Sequence, residues 1–279
     1  MRRNPPRHKA RSNDSYPFSS PSSANNLLDT GLEYALLRAS QLPQVDLTAT
    51  AAPEITALDA LLSMQVPDPQ WIIPGLLPVG ITLLTGKQWV GKSWLALALT
   101  CNVPVLGHMP ASQGCVLYLG LEETRYHALD RAAKLLQGQP APNTLKMADS
   151  WHPLAAGGLA DIEDWLEQHE TARLVVIDSL ISVYAKPRSH RSSGSKAREN
   201  TIMIPLKVIA DMHQIAILVI QHLEQAHTSN FAHDAGFVSK AVDYMDIVDC
   251  TLLLKQERDT PETTLHITGQ HIAEKVVTV

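Results

Sequence analysis

Residues 86–93 have the composition and spacing of a phosphate-binding loop. They read Gly-Lys-Gln-Trp-Val-Gly-Lys-Ser, which fits the pattern G-x-x-x-x-G-K-[ST], and they lie between an apolar strand pattern and a helical pattern. The backbone N–H groups of such a loop and the N-terminus of the next helix form a cradle for an anion. Lys92 would reach the β- and γ-phosphates of ATP, and the Ser93 hydroxyl would bind Mg²⁺. The residues predicted to contact the nucleotide are Gly86, Lys87, Gln88, Trp89, Val90, Gly91, Lys92, Ser93 and Trp94.

A second ligand for the metal follows the apolar strand predicted at residues 174–177. Asp178 ends this run, at a position where an acid holds Mg²⁺ directly or through a water molecule. Ser179 comes next, so this strand supplies no second acid that would orient an attacking water. We therefore expect the catalytic base to come from another strand.

Two acids, Glu122 and Glu123, follow the strand predicted at residues 115–119. Because ligands of open α/β sheets lie at the carboxyl ends of the strands, a glutamate here would lie beside the γ-phosphate. We predict that Glu122 is the general base that polarises the attacking water and that Glu123 supports it. The alternative is that both acids complement the dipole of a helix that begins near Thr124.

Gln221 and His222 end a third apolar strand, predicted at residues 215–220. We predict that their side chains lie beside the same site as Glu122 and act in catalysis. Either residue would sense the γ-phosphate and transmit its loss to the following loop. The alternative is the ordinary polarity of a strand end.

The strands that must position these side chains are unbroken runs of Val, Ile and Leu separated by helical patterns. This arrangement is typical of a parallel sheet that is buried on both faces. We therefore predict an α/β fold with a mainly parallel sheet, helices on both faces and a C-terminal antiparallel hairpin. The predicted strands lie at residues 80–84, 115–119, 174–177 and 215–220, and the hairpin lies at residues 251–254 and 264–268. The predicted helices lie at residues 92–99, 124–136 and 206–212, the last with Pro205 in its first turn.

The overall composition excludes several classes of protein. The chain has 279 residues, of which 45% are hydrophobic, and a formal net charge of −5. These values are typical of a globular protein and exclude a generic polycation that binds nucleic acid. No apolar run reaches the roughly 18 residues of a membrane-spanning helix, so we expect no membrane association. Three scattered cysteines suit a reducing, cytoplasmic location.

The start of the chain differs from the rest. Residues 1–26 are rich in Pro, Ser and Asn and contain five Lys or Arg against one acid, which leaves little apolar surface to offset the entropy of ordering. We predict a disordered basic tail at residues 1–50 and one ATPase domain at residues 51–279. The tail is interpreted either as a weak electrostatic arm for DNA or as a solvated segment. An organellar transit peptide is a further alternative.

A basic segment, residues 186–198, follows the strand that ends at Asp178. It contains five Lys or Arg and no acid, in a context rich in Ser and Gly. Such cations bind the phosphates of single-stranded DNA without reading its sequence. The alternative is a solvated surface loop. The residues predicted to bind DNA are Lys186, Arg188, Arg191, Lys196 and Arg198.

Six segments together carry a resemblance to a known family. They are residues 71–78, residues 86–97, residues 116–123, residues 175–180, residues 206–211 and residues 264–269. In combination they resemble the RecA/DnaB-like P-loop ATPases of the RepA type. This group includes plasmid-encoded hexameric replicative helicases and many phage and plasmid ATPases.

The resemblance implies a RecA-like core that hydrolyses ATP with Mg²⁺ in a reaction coupled to DNA. It places the catalytic glutamate of the group on Glu122 and the pair that senses the γ-phosphate on Gln221 and His222. It also implies a ring of identical subunits, expected to be a hexamer, that acts on single-stranded DNA with a replication initiator or primase as candidate partners. A neighbouring subunit would complete each site with a cation, for which Lys255 and Arg258 are candidates by position.

Two functions remain open from the sequence. The first is a RepA-like replicative helicase or a related ATPase of plasmid or phage DNA replication or recombination. The second is a regulatory assembly protein that switches when it binds ATP, with weak or no helicase activity. Stimulation of ATP hydrolysis by single-stranded DNA would favour the first function, and indifference to DNA would favour the second.

Overall fold

The computed structural model describes residues 57–58, 70–101, 114–183, 195–222, 247–256, 262–270 and 272–279. The strands within these residues are β1 (Trp71–Ile73), β2 (Leu77–Pro78), β3 (Gly80–Gly86), β4 (Cys115–Gly120), β5 (Leu145–Ala148), β6 (Ala172–Asp178), β7 (Ala216–His222), β8 (Cys250–Gln256), β9 (Thr263–Gly269) and β10 (Ile272–Thr278). The helices are α1 (Lys92–Thr100), α2 (Arg125–Leu136), α3 (Gly158–Glu167) and α4 (Ser195–His213), with short 3₁₀ turns at Leu154–Ala156 and Leu180–Val183.

Eight of these strands form one sheet in the order β10-β9-β8-β3-β7-β6-β4-β5. The strands from β8 to β5 run parallel, whereas β9 is antiparallel to β8 and β10 is antiparallel to β9. The remaining two strands, β1 and β2, form a small antiparallel pair. The predicted α/β fold, with its mainly parallel sheet and C-terminal hairpin, is therefore confirmed.

The central strand β7 shows why the sheet is covered on both faces. Successive side chains of a strand point to opposite faces, and five successive residues of β7 are fully buried. Ile217 and Val219 pack in one core cluster with side chains of α3 and α4. Leu218 and Ile220 pack in a second cluster with side chains of α1 and β1. Burial of each such side chain contributes about 1.5–3 kcal/mol, so this apolar run stabilises the strand between two helical layers.

Helix α4 is longer than predicted. It begins at Ser195, and Pro205 lies inside it rather than in its first turn. A proline inside a helix removes one backbone hydrogen bond and crowds the preceding turn, at a cost of about 3 kcal/mol. Ile202, Met203 and Leu206 lie on both sides of the proline and are buried in the core. Their burial offsets the cost of the proline, so the helix continues through it.

Four strands were not predicted, namely the short pair β1 and β2 and the sheet strands β5 and β10, and one predicted strand has an additional role. β1, β2 and β5 have three, two and four residues, and β10 is mostly exposed, so none of the four shows a strong strand pattern in the sequence. β8 pairs with β9 as the predicted hairpin requires, and it also pairs in parallel with β3. The hairpin is therefore continuous with the central sheet.

The described part of the chain has no helix with the length and hydropathy that a membrane span requires. The predicted basic tail, residues 1–50, lies outside the described residues. The division of the chain at residue 50 therefore stays a prediction.

Asp249 ties the start of β3 to α4 and to the residues before β8. Its Oδ2 accepts a hydrogen bond from the Ile81 backbone N–H at 2.7 Å, and its Oδ1 accepts one from Lys207 Nζ at 2.9 Å. Because hydrogen bonds to charged groups contribute about 1.5–3 kcal/mol, we expect Asp249→Ala to lower the free energy of unfolding by about 2 kcal/mol, measured by denaturant unfolding. The matched control is Asp130→Ala, which removes an exposed pair with Lys134 and should change stability by no more than about 0.5 kcal/mol. Equal losses in the two variants would contradict this role for Asp249.

Candidate active site

The parallel pairing of the strands brings their polar ends to one edge of the sheet. Gly86, at the end of β3, lies opposite His222 at the end of β7. Gly120, at the end of β4, lies opposite Asp178 at the end of β6. The pairing continues one residue further, because Leu121 N–H donates to the Asp178 carbonyl oxygen at 2.8 Å. The predicted loop, acid, base and sensor residues therefore meet at this edge.

The phosphate loop depends on two glycines. A Cβ on Gly86 would lie 2.5 Å from the Leu254 carbonyl oxygen of β8, so only glycine fits there without displacing the strand. Gly91 is the residue before α1 and has a φ of 104°, in the left-handed region that favours glycine. This turn leaves the first N–H groups of α1 without partners in the helix, and they are the donors that bind an anion.

Lys92 lies in the first turn of α1 and is 3% exposed. Its Nζ donates hydrogen bonds to the carbonyl oxygens of Gly86 at 2.9 Å and Lys87 at 2.7 Å. Burial lowers the pKa of Lys92 to about 8, although the nearby charges of Asp178 and Glu122 oppose this shift. The ammonium group is therefore held inside the loop, where a polyphosphate would provide stronger partners.

Asp178 is buried at the end of β6 and has one oxygen engaged and one open. Tyr118 Oη donates a hydrogen bond to Asp178 Oδ2 at 2.8 Å. Asp178 Oδ1 is buried and has no hydrogen-bond partner among the described residues. Burial raises the pKa of Asp178, while the hydrogen bond from Tyr118 and the nearby Ser93 hydroxyl act in the opposite direction.

These features fit the magnesium ion that P-loop ATPases usually bind. Mg²⁺ takes oxygen ligands from one or two protein side chains and completes its shell with water and phosphate oxygens. The open Oδ1 of Asp178 and the nearby hydroxyl of Ser93 are side chains of this kind. The structure thus brings together the two residues predicted to hold the metal.

Tyr118 was not among the predicted site residues. It lies on β4, is 1% exposed, and contacts the carboxylate of Asp178 on the neighbouring strand β6. A buried phenol needs a hydrogen-bond partner, and a tyrosine inside an apolar strand was the available signal in the sequence. Its contact keeps one Asp178 oxygen occupied and so orients the other oxygen.

Glu122 lies in a hydrogen-bonded group at the centre of the site. Its Oε2 is 2.7 Å from His222 Nε2, and its Oε1 accepts a hydrogen bond from Ser179 Oγ. The hydrogen bond with His222 lowers the pKa of Glu122 most; burial opposes this, and Ser179 and Lys92 lower the pKa further. The side chain is 33% exposed, so Glu122 is an ionised carboxylate that water can reach.

Glu123 has a different environment from Glu122. Both of its carboxylate oxygens accept hydrogen bonds from the Arg131 guanidinium group, each at 2.7 Å. The structure thus separates the two acids that the sequence placed together. Glu122 faces the ends of β6 and β7, whereas Glu123 is held against α2.

The two predicted sensor residues, Gln221 and His222, are both half-buried at the end of β7. Gln221 lies opposite Thr85 of β3, next to the phosphate loop. His222 contacts Glu122 directly. A sensor role for either residue stays a prediction.

The predicted DNA-binding residues are only partly described. Lys186, Arg188 and Arg191 lie outside the described residues. Lys196 and Arg198 fall within α4, so this end of the basic segment is helical, and DNA binding by all five residues stays a prediction. Lys and Arg have high helix propensity, and the first turns of α4 extend the helix into this end of the basic segment.

The fold and the site define the class of this protein. A phosphate loop, a strand-end aspartate and a strand-end glutamate converge on one edge of a parallel sheet, as in P-loop ATPases of the AAA and RecA-like kind. A family model described as an AAA domain matches residues 48–227, which is more than half of the chain. The chain therefore belongs to this family of AAA domains, and it is an ATPase in that general sense. No curated protein matches it.

The different environments of Glu122 and Glu123 lead to opposite expectations for their amide variants. Glu122→Gln should keep its affinity for ATP within about threefold but lose roughly 10²–10⁴-fold in turnover, because the general base is removed. Glu123→Gln should keep most of its turnover, because it alters the contact with Arg131 instead. A coupled phosphate-release assay, with ATP affinity from calorimetry, measures both effects. Loss of turnover in Glu123→Gln alone would show that Glu123 is the base.

The lowered pKa of Lys92 predicts a pH dependence for ATP binding. Phosphate groups stabilise the ammonium form, so binding raises the pKa of Lys92 above its value of about 8 in the free protein. The dissociation constant for ATP should be constant below about pH 8 and should rise by up to about tenfold per pH unit above it, since binding then requires uptake of a proton. Calorimetric titrations from about pH 7 to pH 9.5 measure this. Lys92→Arg, which stays charged, is the control, and an equal slope in that variant would exclude Lys92 as the cause.

Proposed function

We propose that the protein is a Mg²⁺-dependent ATPase whose hydrolysis of ATP is coupled to single-stranded DNA. In this proposal it acts as a RepA-like replicative helicase or a related ATPase of plasmid or phage DNA replication or recombination. The observation that supports it most is the convergence of Lys92, Asp178, Glu122 and His222 at one edge of the sheet. These are the side chains that binding, metal coordination, base catalysis and phosphate sensing require.

The proposed reaction follows from these positions. Lys92 would leave its two loop carbonyls and pair with the β- and γ-phosphates. Bound Mg²⁺, held by Asp178 and Ser93, would neutralise charge on the phosphate oxygens. Glu122 would accept a proton from water as the water oxygen bonds to the γ-phosphorus and the bond to the bridging oxygen of ADP breaks.

The contact between Glu122 and His222 suggests how hydrolysis reaches the rest of the chain. In this proposal the attacking water takes a lone pair of the Glu122 carboxylate that His222 and Ser179 leave open, and ATP binding rearranges the Glu122–His222 pair. Release of phosphate would restore it. His222 ends β7, so each rearrangement would move the start of the segment that follows this strand.

The DNA part of the proposal is supported by charge and position in the sequence. The basic segment 186–198 follows the strand that holds Asp178, with five cations and no acid. Cations in this number give binding that depends on salt and is independent of base sequence. A ring of identical subunits, expected to be a hexamer, would place several such segments around one strand of DNA. A replication initiator or a primase would be its partner.

One observation favours a second function, an assembly protein that switches with ATP. Two charged groups of the site are already paired without nucleotide, because Lys92 bonds to its own loop and Glu122 bonds to His222 and Ser179. In this function, binding of ATP exchanges these contacts even if hydrolysis is slow. The response to DNA separates the two functions.

We expect ATP turnover, measured by phosphate release, to rise at least several-fold when a single-stranded oligonucleotide is added. The Glu122→Gln variant is the negative control for background phosphate release. A variant that lacks three cations of the basic segment should keep its basal turnover but lose DNA stimulation. The salt dependence of its DNA binding should also flatten, by about 0.7 in slope for each DNA phosphate that the variant no longer neutralises. The three substitutions are Arg188→Ala, Arg191→Ala and Arg198→Ala.

The matched control removes three exposed lysines elsewhere: Lys134→Ala, Lys146→Ala and Lys275→Ala. It should leave both DNA stimulation and the salt slope unchanged. Equal slopes in all three proteins would show that the basic segment is ordinary solvated surface. Assembly driven by ATP without any response to DNA, measured by light scattering, would support the switch function instead.

A further inference from the structure

Trp94 is a large aromatic residue beside the phosphate loop with no part in the hydrolysis proposed above. It follows Ser93 in the first turn of α1, and it is 41% exposed. The next five residues of the helix, residues 95–99, are all buried. Trp94 is thus an exposed residue in the first turn of a helix whose next residues are buried, and it lies beside the phosphate loop.

A cation lies behind the indole ring. The guanidinium carbon of Arg131 lies 5.4 Å from the centroid of the Trp94 ring, within the range of a cation–π interaction. Arg131 is fixed in turn by Glu123, which holds it with two hydrogen bonds at 2.7 Å, and both side chains are only 18% exposed. Trp94 is therefore a supported ring with one side against α2 and part of its surface open.

The direction of the nucleotide follows from the positions of its phosphates. The γ-phosphate would lie towards Glu122 and Asp178, where the base and the metal ligands are. The α-phosphate would then lie over the first N–H groups of α1, which include those of Ser93 and Trp94. The nucleoside continues from the α-phosphate over the first turn of α1, where Trp94 is the exposed aromatic side chain.

We infer that the Trp94 indole, backed by Arg131 and Glu123, is the surface on which the adenine ring of ATP stacks. This inference rests on the proposed function, because it requires ATP at the phosphate loop. An aromatic surface suits a flat base, and stacking of a base on an aromatic side chain is worth about 1–3 kcal/mol. The ion pair with Glu123 fixes the Arg131 side chain, so little conformational entropy is lost when the base binds.

The inference separates the affinity for the base from the affinity for the phosphates. Inorganic tripolyphosphate offers the phosphate loop the same kind of anion without a base. The ratio of its dissociation constant to that of ATP, measured by calorimetry with Mg²⁺, reports the contribution of the nucleoside. A second readout is the quenching of tryptophan fluorescence by ATP.

We expect Trp94→Leu to lower this ratio by about tenfold or more, because the stacking surface for the base is removed. Its affinity for tripolyphosphate should stay unchanged. Trp94→Phe keeps an aromatic ring and should retain most of the ratio. The matched control is Tyr126→Leu, since Tyr126 is an aromatic residue outside the phosphate loop, on α2, and is 75% exposed, and this variant should keep the full ratio.

Three outcomes would overturn the inference. Equal weakening of ATP and tripolyphosphate in Trp94→Leu would mean that Trp94 only supports the loop. An unchanged ratio, with normal binding of both ligands, would place the base elsewhere, either in solvent or against a neighbouring subunit. If the wild-type protein binds tripolyphosphate and ATP equally well, no base site exists. A wild-type protein that binds neither ligand would instead refute the proposed function itself, and the inference with it.

Discussion

The whole site depends on one buried ammonium group. Lys92 loses solvation in the first turn of α1, and its loop carbonyls together with the charges of Asp178 and Glu122 compensate this loss only in part, since its pKa falls to about 8. An incompletely compensated cation attracts a polyanion more strongly than a solvated one, because the low local dielectric strengthens the interaction. The loop carbonyls keep the cation in place until phosphate arrives. The same contacts therefore stabilise the empty loop and prepare it for a ligand.

Parallel pairing of strands explains how distant parts of the chain reach this group. Tyr118 and Asp178 are 60 residues apart, and Glu122 and His222 are 100 residues apart, yet both pairs form hydrogen bonds. Since parallel strands all end at the same edge, each strand needs only one suitable residue at its carboxyl end. The register of the strands thus sets the relative positions of the polar residues in the site. The buried apolar side chains that fix this register are as necessary to the site as the polar residues.

The sequence allowed prediction of those parts of the site that are local to one strand end. The phosphate loop and Asp178 were predictable, because each is a short pattern after an apolar run. The same pattern showed that Ser179, rather than a second acid, follows Asp178. The contacts of Tyr118 and Arg131 join separate elements, so no single segment contains them. Helix α4 was cut short at Pro205 in the prediction, because local backbone preference was given more weight than the burial of residues on both sides. The strand β10 was missed since its exposed residues lack a core-facing pattern.

The two neighbouring glutamates bond to different parts of the structure. Glu122 bonds to groups at the ends of β6 and β7, and Glu123 bonds to Arg131 on α2. Consecutive residues in an extended turn point in different directions, so one short segment can hold a contact in the catalytic centre and another against α2. Arg131, which Glu123 holds, in turn lies against the Trp94 ring. The contacts of Glu122 with Ser179 and His222 and the contact of Arg131 with Trp94 are therefore joined through one peptide bond, between Glu122 and Glu123.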